Sequence, residues 1–454
     1  MEQKIKKNDI IDIDVKRMGI NGEGIGYYEK LAVFIEQALP GETVKAKVTE
    51  VFPNRATAEL IELIKPSKHR IDPFCPVYDA CGGCQVQHFD YVSMLSQKRD
   101  IIVKSFDRYL KRYDRHVIKE TIGMENPMHY RNKASLPLRK IDGKNRFGMY
   151  ARNSNQFIAI TDCGIQQPKI NDIFMTITQL MDQLHIDSYD PKTNQGMISH
   201  LVVRVTEGLD EAQVSFILPK HHEDINKLIH PLISLHPEVK SIYEVINPDM
   251  KQSFFTSQSI LIYGKETVSI EMNDFKFSLK PDAFFQLNAV QADKFYHKML
   301  ELAQITKDDV VIDAYAGIAP ISHYIGDKAK KIYAIEFNQD AVQSAHISLQ
   351  NNDIKNVEVI GKDFLKALEE LDEKRIDIML FDPPRSGLGE KTIEVIKQFK
   401  PKRLVYGSCN PSTLAKDLNE LIDLYDIKEV VPMDMFPFTS LVESITLLEL
   451  KTEL

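Results

Sequence analysis

A chain of 454 residues exceeds what one hydrophobic core usually organises, so two or three domains are expected. With 43% hydrophobic and 27% charged residues the composition is that of a globular protein, and no run approaches the ~18 apolar residues of a membrane span. A formal charge of -8 excludes bulk attraction to a polyanion, and five cysteines are too few and too odd for a disulfide framework, which directs them to metal or catalytic roles.

The opening Met-Glu-Gln-Lys-Ile-Lys-Lys is polar and lacks the apolar run of a secretion signal, and the closing Lys-Thr-Glu-Leu has no signal peptide to give it a retention meaning. A cytoplasmic, monomeric protein without membrane contact is the expectation. Residues 1–65 read as short strands separated by turns: Ile10 to Arg17, a Gly-rich turn through Gly22, Gly24 and Gly26, Leu31 to Glu36, Glu42 to Phe52 and Thr57 to Ile64. They predict a small β-barrel. From Pro66 to Tyr91 the composition turns to loop residues carrying Cys75, Cys81 and Cys84. The spacing then predicts a helix over Ser93 to Tyr113, and the stretch 93–125 is expected to pack on the last domain.

Between His129 and Asn155 stand Arg131, Lys133, Arg139, Lys140, Lys144, Arg146 and Arg152 against one acid, Asp142, with Tyr130, Phe147 and Tyr150 among them. Basic groups there can follow phosphates while rings stack on unpaired bases. The plain alternative is a solvated hairpin, which the segment by itself favours. Residues 66–278 form a β-rich central domain, with strand-like runs at His200 to Thr206, Glu211 to Ile217 and Phe275 to Leu279. Residues 279–454 then alternate strand and helix, with apolar strands at Val310 to Asp313, Lys331 to Ile335, Val357 to Ile360, Ile376 to Phe381 and Arg403 to Tyr406. That alternation predicts a Rossmann-like α/β domain with a mostly parallel sheet.

In such a sheet ligands bind at the carboxyl ends of the strands. Val310 to Asp313 runs into Ala314-Tyr315-Ala316-Gly317-Ile318-Ala319, and the next strand ends at Glu336, where a carboxylate can accept hydrogen bonds from ribose hydroxyls. Ala319 stands where a dinucleotide fingerprint needs its second glycine. A pyrophosphate is therefore disfavoured, whereas S-adenosylmethionine carries no phosphate and needs only the turn and the acid.

The strand Ile376 to Phe381 ends in Asp382-Pro383-Pro384-Arg385, where two prolines fix the backbone and aim the acid into the cleft. Tyr406-Gly407-Ser408-Cys409-Asn410-Pro411 ends the next strand, and Cys409 lies far from the other four cysteines. By itself a free cysteine is most often a small buried hydrophobe. A strand end followed by a helix N-terminus, which favours thiolate, points to a nucleophile instead.

These motifs resemble the RNA 5-methyluridine methyltransferase family over essentially the whole chain, in particular its iron-sulfur bacterial branch acting on carbon 5 of a uracil in 23S ribosomal RNA. The matching pieces are a TRAM-like, OB-like N-terminal barrel, Tyr130-Arg131-Asn132-Lys133, Phe284-Phe285-Gln286-Leu287-Asn288, Asp382 to Arg385, Ser408 to Pro411, and Asp434-Met435-Phe436-Pro437 through Val442-Glu443-Ser444. The resemblance implies that Cys409 is the nucleophile, that Glu443 accepts the proton, and that Gln286, Tyr315, Glu336 and Asp382 contact S-adenosylmethionine. It implies RNA as the partner, with Arg131 and Lys133 on the RNA side. The chemistry agrees: carbon 5 of uracil attacks a methyl sulfonium only after a thiolate adds at carbon 6, and the carbon-5 proton must then be removed. Two positions depart from the family pattern. Gly317-Ile318-Ala319-Pro320 replaces Gly-x-Gly-Thr, which crowds the methionine end of the donor, and Leu441 replaces a histidine.

Cys75, Cys81, Cys84 and Cys163 make a four-thiolate set that suits zinc or a [4Fe-4S] cluster, and as a bare spacing zinc is favoured. The resemblance reverses this and implies a structural cluster. Three alternatives stay open: a transfer-RNA uridine substrate, methylation of an exocyclic base nitrogen that needs no cysteine, and a noncatalytic RNA-binding or ribosome-assembly protein.

Overall fold

The computed structural model describes residues 5–206, 208–249, 254–256, 258–373 and 375–452. The outermost residues of the first and last expected domains, 1–4 and 453–454, lie outside the described residues. The chain divides into two compact units, one comprising residues up to Glu125 with Pro384–Gly389 and Ser408 onward, the other Asn126–Pro383 with Glu390–Gly407.

The first unit begins with β1 (Ile10–Met18), β2 (Gly24–Tyr28), β3 (Leu31–Ile35), β4 (Thr43–Phe52) and β5 (Arg55–Lys65), which close into a barrel in the order β1-β2-β3-β5-β4. Period-two alternation builds it: Ile11, Ile13 and Val15 of β1 point inward and meet Val33, Ile35, Val44, Ala46 and Val48 in one core. Gly24 and Gly26, expected in a turn, belong to β2. They are there for close approach: a Cβ on Gly24 would lie 2.6 Å from the Ala38 carbonyl oxygen, and one on Gly26 2.5 Å from that of Asp14. Helix α1 (Tyr91–Tyr109) follows, its N-terminus capped by Asp90, which accepts from the Ser93 N–H at 2.9 Å. It stops short of Tyr113 because Leu110 takes an extended conformation.

The second unit holds two larger sheets. In the first, β6 (Lys133–Ile141), β7 (Lys144–Tyr150), β8 (Phe157–Ala159), β9 (His200–Val205), β10 (Ala212–Leu218), β11 (Val239–Ile246) and β12 (Ser259–Gly264) are ordered β12-β11-β10-β9-β6-β7-β8, backed by α2 (Pro168–Gln183) and α3 (Asn226–Leu235). The basic segment is thus the β6–β7 hairpin. Tyr130 and Phe147 are buried, Phe147 packing on Phe174 with centroids 5.2 Å apart, so those two rings serve the core.

A two-stranded ribbon, β13 (Val268–Met272) and β14 (Phe275–Leu279), and helix α4 (Ala289–Ala303) lead into the second sheet. Its elements are β15 (Val310–Ala314), α5 (Pro320–Ile325), β16 (Lys331–Ile335), α6 (Gln339–Asn351), β17 (Val357–Ile360), α7 (Phe364–Glu370), β18 (Ile378–Phe381), α8 (Gly389–Phe399) and β19 (Arg403–Ser408). The strands lie parallel in the order β17-β16-β15-β18-β19. Every residue of β15 and β18 is buried, as expected of strands covered on both faces. The order reverses between β15 and β18, which opens a crevice at their carboxyl ends.

The chain then returns to the first unit through α9 (Pro411–Leu421), which packs on α1, and an antiparallel pair, β20 (Tyr425–Met433) and β21 (Glu443–Leu450). Among the described residues no helix is long and apolar enough to cross a membrane.

Candidate active site

The crevice of the second unit is organised by the turn after β15. Tyr315, Gly317 and Ala319 all have positive φ, at 59°, 57° and 61°, and Pro320 then opens α5. The turn is anchored across the switch point: the Gly317 N–H donates to Glu336 Oε2 at 2.9 Å, while Asn338 N–H donates to Oε1 at 2.8 Å. Each carboxylate oxygen keeps acceptor capacity for a ligand hydroxyl. Tyr315 stacks on Phe364 at 5.7 Å, and Phe364 in turn meets Phe381 edge-on at the end of β18. Phe337, directly after the acid, exposes 72% of its surface.

Two acids of this crevice hold protons unusually well. Burial pushes Asp382 up to about 6. Asp313, fully buried in β15, is pushed up to about 7 by burial, with the nearby Asp382 and Glu336 adding to the effect against hydrogen bonds from Ser322. Those bonds, from the Ser322 N–H at 3.1 Å and hydroxyl at 2.6 Å, both go to Oδ2, and Oδ1 has no hydrogen-bond partner. Asp313 is a buried acid of the crevice that the sequence motifs did not single out; its signal was a charge ending a run of Val and Ile.

Gln286 is buried in the segment before α4, and its backbone is tied to the central sheet by Asn132, whose side-chain amide donates to the Gln286 carbonyl oxygen at 3.0 Å. Lys133, expected to meet RNA, directs its ammonium elsewhere: it donates to the Pro281 carbonyl oxygen at 3.2 Å and lies 5.3 Å from the Phe255 ring centre. Burial, aided by the Arg204 charge, pulls it down to about 6. Arg204 reaches the Ala283 carbonyl oxygen at 2.5 Å, so the two side chains hold carbonyls of the segment leading to Gln286. Arg131 is half-buried, with its Nε lacking a hydrogen-bond partner.

In the first unit, Cys409 follows the last residue of β19 and directly precedes the cap of α9. Asn410 accepts from the Ser412 N–H at 3.0 Å, and its amide donates to the Arg385 carbonyl oxygen at 3.1 Å, which joins the Asp-Pro-Pro-Arg turn to the cysteine turn. Pro411 sits at the first helical position, where its missing N–H costs nothing. Cys409 itself is half-buried. Glu443 opens β21, 6% exposed, opposite Met433 of β20. The loop between the strands is fixed from outside: the Phe438 carbonyl oxygen accepts from the N–H groups of Gln85 and Val86, both at 3.1 Å.

Gln85 belongs to the cysteine-bearing loop. There Cys75 and Cys81 are half-buried and Cys84 buried; Cys163, in the second unit, is half-buried. Among the described residues no three His, Cys, Asp or Glu side chains are grouped to hold a metal. Backbone bonds shape the loop instead, Tyr78 N–H to the Cys75 carbonyl oxygen and Cys81 N–H to that of Val77, at 3.1 and 2.8 Å.

Between the barrel and α1 lies a groove of about 870 Å³. Arg17, Arg55, Lys104 and Arg108 line it with Tyr27, Phe34 and Tyr109, alongside the acids Glu23 and Asp107. Cations and rings in one concavity suit a single-stranded nucleic acid.

Residues 90–451 match the family model described as tRNA (uracil-5-)-methyltransferase, and residues 4–61 that of the TRAM domain. An uncharacterized RNA methyltransferase of Halalkalibacterium halodurans is 38% identical over 451 residues, 98% of this chain and 97% of the relative. One from Bacillus anthracis is 35% identical over 453 residues, 99% of each chain. Among solved structures, the tRNA (uracil-54, C5)-methyltransferase of Pyrococcus abyssi in complex with S-adenosyl-L-homocysteine is similar over 96% of this chain and 100% of that one, with a TM-score of 0.77 and 21% identity. At that identity the likeness concerns the fold.

Proposed function

The chain belongs to the tRNA (uracil-5-)-methyltransferase family, and from that premise we propose that it methylates carbon 5 of a uridine in cytoplasmic 23S ribosomal RNA, with Cys409 as covalent nucleophile and Glu443 as base. It is an S-adenosylmethionine-dependent RNA (uracil-C5-)-methyltransferase. One arrangement carries the mechanistic reading: Cys409 directly follows the last residue of a sheet strand and precedes the cap of α9, in a turn where the Asn410 amide donates to the Arg385 carbonyl oxygen.

When bound, S-adenosylmethionine supplies an electrophilic methyl group. Gln286, Tyr315, Glu336 and Asp382 are its proposed contacts, Glu336 toward the ribose. The Cys409 sulfur adds to carbon 6 of the uracil, which makes carbon 5 nucleophilic toward that methyl. Glu443 then takes the carbon-5 proton; the C–H electrons re-form the C5–C6 double bond and the C6–S bond breaks back to the Cys409 thiolate. Arg131, just before the central hairpin, is the proposed RNA contact, and Lys133, the other expected one, holds the Pro281 carbonyl oxygen.

Replacing Cys409 with Ala is expected to abolish both turnover and covalent protein–RNA adduct, whereas Glu443→Gln is expected to let a methylated adduct accumulate on denaturing gels. Full turnover by Cys409→Ala would sink the covalent mechanism in favour of methylation at an exocyclic nitrogen. The substrate is tested by mass spectrometry of ribosomal and transfer RNA from cells with and without the gene. Loss of 5-methyluridine from transfer RNA alone would select a transfer-RNA substrate instead, the one for which the family is called tRNA (uracil-5-)-methyltransferase.

The family resemblance, rather than the spacing, also supports Cys75, Cys81, Cys84 and Cys163 as ligands of a structural [4Fe-4S] cluster. No step of the reaction passes through it. Anaerobically purified protein is then brown with about four irons per chain; colourless, zinc-loaded or metal-free protein defeats the assignment.

A further inference from the structure

Lys98 lies on the buried face of α1, and both it and Asp434 are fully buried. Its ammonium meets Asp434 Oδ1 and donates to the Phe436 carbonyl oxygen at 3.1 Å. Withdrawing an ammonium and a carboxylate from water costs several kcal/mol per ion. An apolar residue at this position would pack α1 without that cost, so the pair asks for a reason beyond packing.

Its neighbourhood supplies one. Asp434 directly follows Met433, the cross-strand partner of Glu443. Burial lowers the proton affinity of the Lys98 amine; the attraction of Asp434, and then of Glu443, opposes it. Tyr91, on the same helix, is pushed up by burial and by the Asp434 charge, and its hydroxyl oxygen accepts from the Met124 N–H at 2.8 Å. The ammonium thus meets the Asp434 carboxylate directly, and the charge of Glu443, the proposed base, which is itself buried, also acts on it. Without that cation, Asp434 and Glu443 repel each other in a medium that screens poorly.

We propose that Lys98 is a positioning residue for Glu443: held by Asp434 and the Phe436 carbonyl, it supplies the counter-charge that keeps the Glu443 carboxylate aimed to take the carbon-5 proton. This rests on Glu443 being the base. Lys98 touches neither substrate nor donor in this scheme, and its influence is confined to resolving the adduct.

The test compares Lys98→Met/Asp434→Asn, which removes both charges of the ion pair, with wild type and with Glu443→Gln. RNA bearing 5-fluorouridine at the target position traps the adduct in any enzyme that completes addition and methyl transfer, because its carbon-5 substituent cannot leave as a proton. The double variant is expected to trap 5-fluorouridine RNA as wild type does, and to accumulate adduct on ordinary RNA with turnover down at least tenfold. Wild-type turnover in that variant overturns the proposal, since Lys98 would then only balance Asp434. Should the neutral pair fail to fold, Lys98→Arg keeps the charge. It is expected to resolve the adduct within about threefold of wild type, and adduct accumulation in it overturns the proposal equally. If Glu443→Gln itself turns over normally, the base assignment fails, an outcome separate from either result at Lys98.

Discussion

Asp313 illustrates at the scale of one residue how a site acid is bought at the expense of stability. An unfolded aspartate ionises near 4, whereas Asp313 in the folded chain keeps its proton to about 7. The folded state binds more protons over that interval, so stability falls as pH rises from about 4 to about 7 and is flat beyond; Asp382 adds the same sign up to about 6. Asp313→Asn cannot ionise and keeps an acceptor for Ser322. Thermal midpoints measured from pH 4 to 8 are expected to decline less steeply in this variant than in wild type, and an unchanged slope would place the titration elsewhere. At this scale the sequence was most informative where chemistry demands a residue type: Cys409, Glu336 and Asp382 stand at strand ends, as their motifs implied. Lys98 and Lys133 were opaque for the opposite reason. A lysine within a helical or basic pattern reads as solvated, and only tertiary contacts reveal an ammonium turned inward.

Single elements carry the geometry of the proposed nucleophile. The turn that holds Cys409 is made by the cap of α9, because Asn410 bonds forward to Ser412 and across to Arg385. Asn410→Ala removes both bonds. Loss of a cap costs about 1 kcal/mol, and the freed turn is expected to slow adduct formation several-fold more than it lowers stability, read by pre-steady-state trapping beside chemical denaturation. Equal losses would reduce Asn410 to a helix cap. The central strands β15 and β18 were legible because strands buried on both faces read as near-continuous apolar runs. The barrel was legible from alternation and turns, except that Gly24 and Gly26 read as a turn when they lie in β2; local propensity cannot announce that Ala38 and Asp14 carbonyls press against them. The end of α1 was missed because its apolar spacing continues past Leu110, where the backbone turns extended.

Across the whole molecule the charge of -8 means that RNA must be held by local cations. The groove between the barrel and α1 offers Arg17, Arg55, Lys104 and Arg108. If they meet phosphates, Arg55→Ala and Arg108→Ala each weaken RNA binding and each reduce the slope of log affinity against log salt by about 0.7 to 0.9. Binding weakened with an unchanged slope would assign these residues to packing. The division of the chain was only partly visible in sequence. Composition marks the barrel and the strand–helix alternation, but Pro384–Gly389 and everything from Ser408 onward group with the N-terminal residues, a pairing set by contacts between segments hundreds of residues apart.

The Lys98–Asp434 pair spans 336 residues of sequence, and this separation has a meaning during biosynthesis. At roughly 5 to 20 residues per second, Lys98 leaves the ribosome tens of seconds before its partner is made. Through that interval Lys98 has no counter-charge, so burying the inner face of α1 requires either an unpaired ammonium or loss of its proton. Completion of the first unit is therefore timed by the arrival of the C-terminal hairpin. A chain cut short before Asp434 is expected to be cleaved within α1 by added protease faster than the full-length chain, and equal cleavage rates would show that α1 docks without its partner.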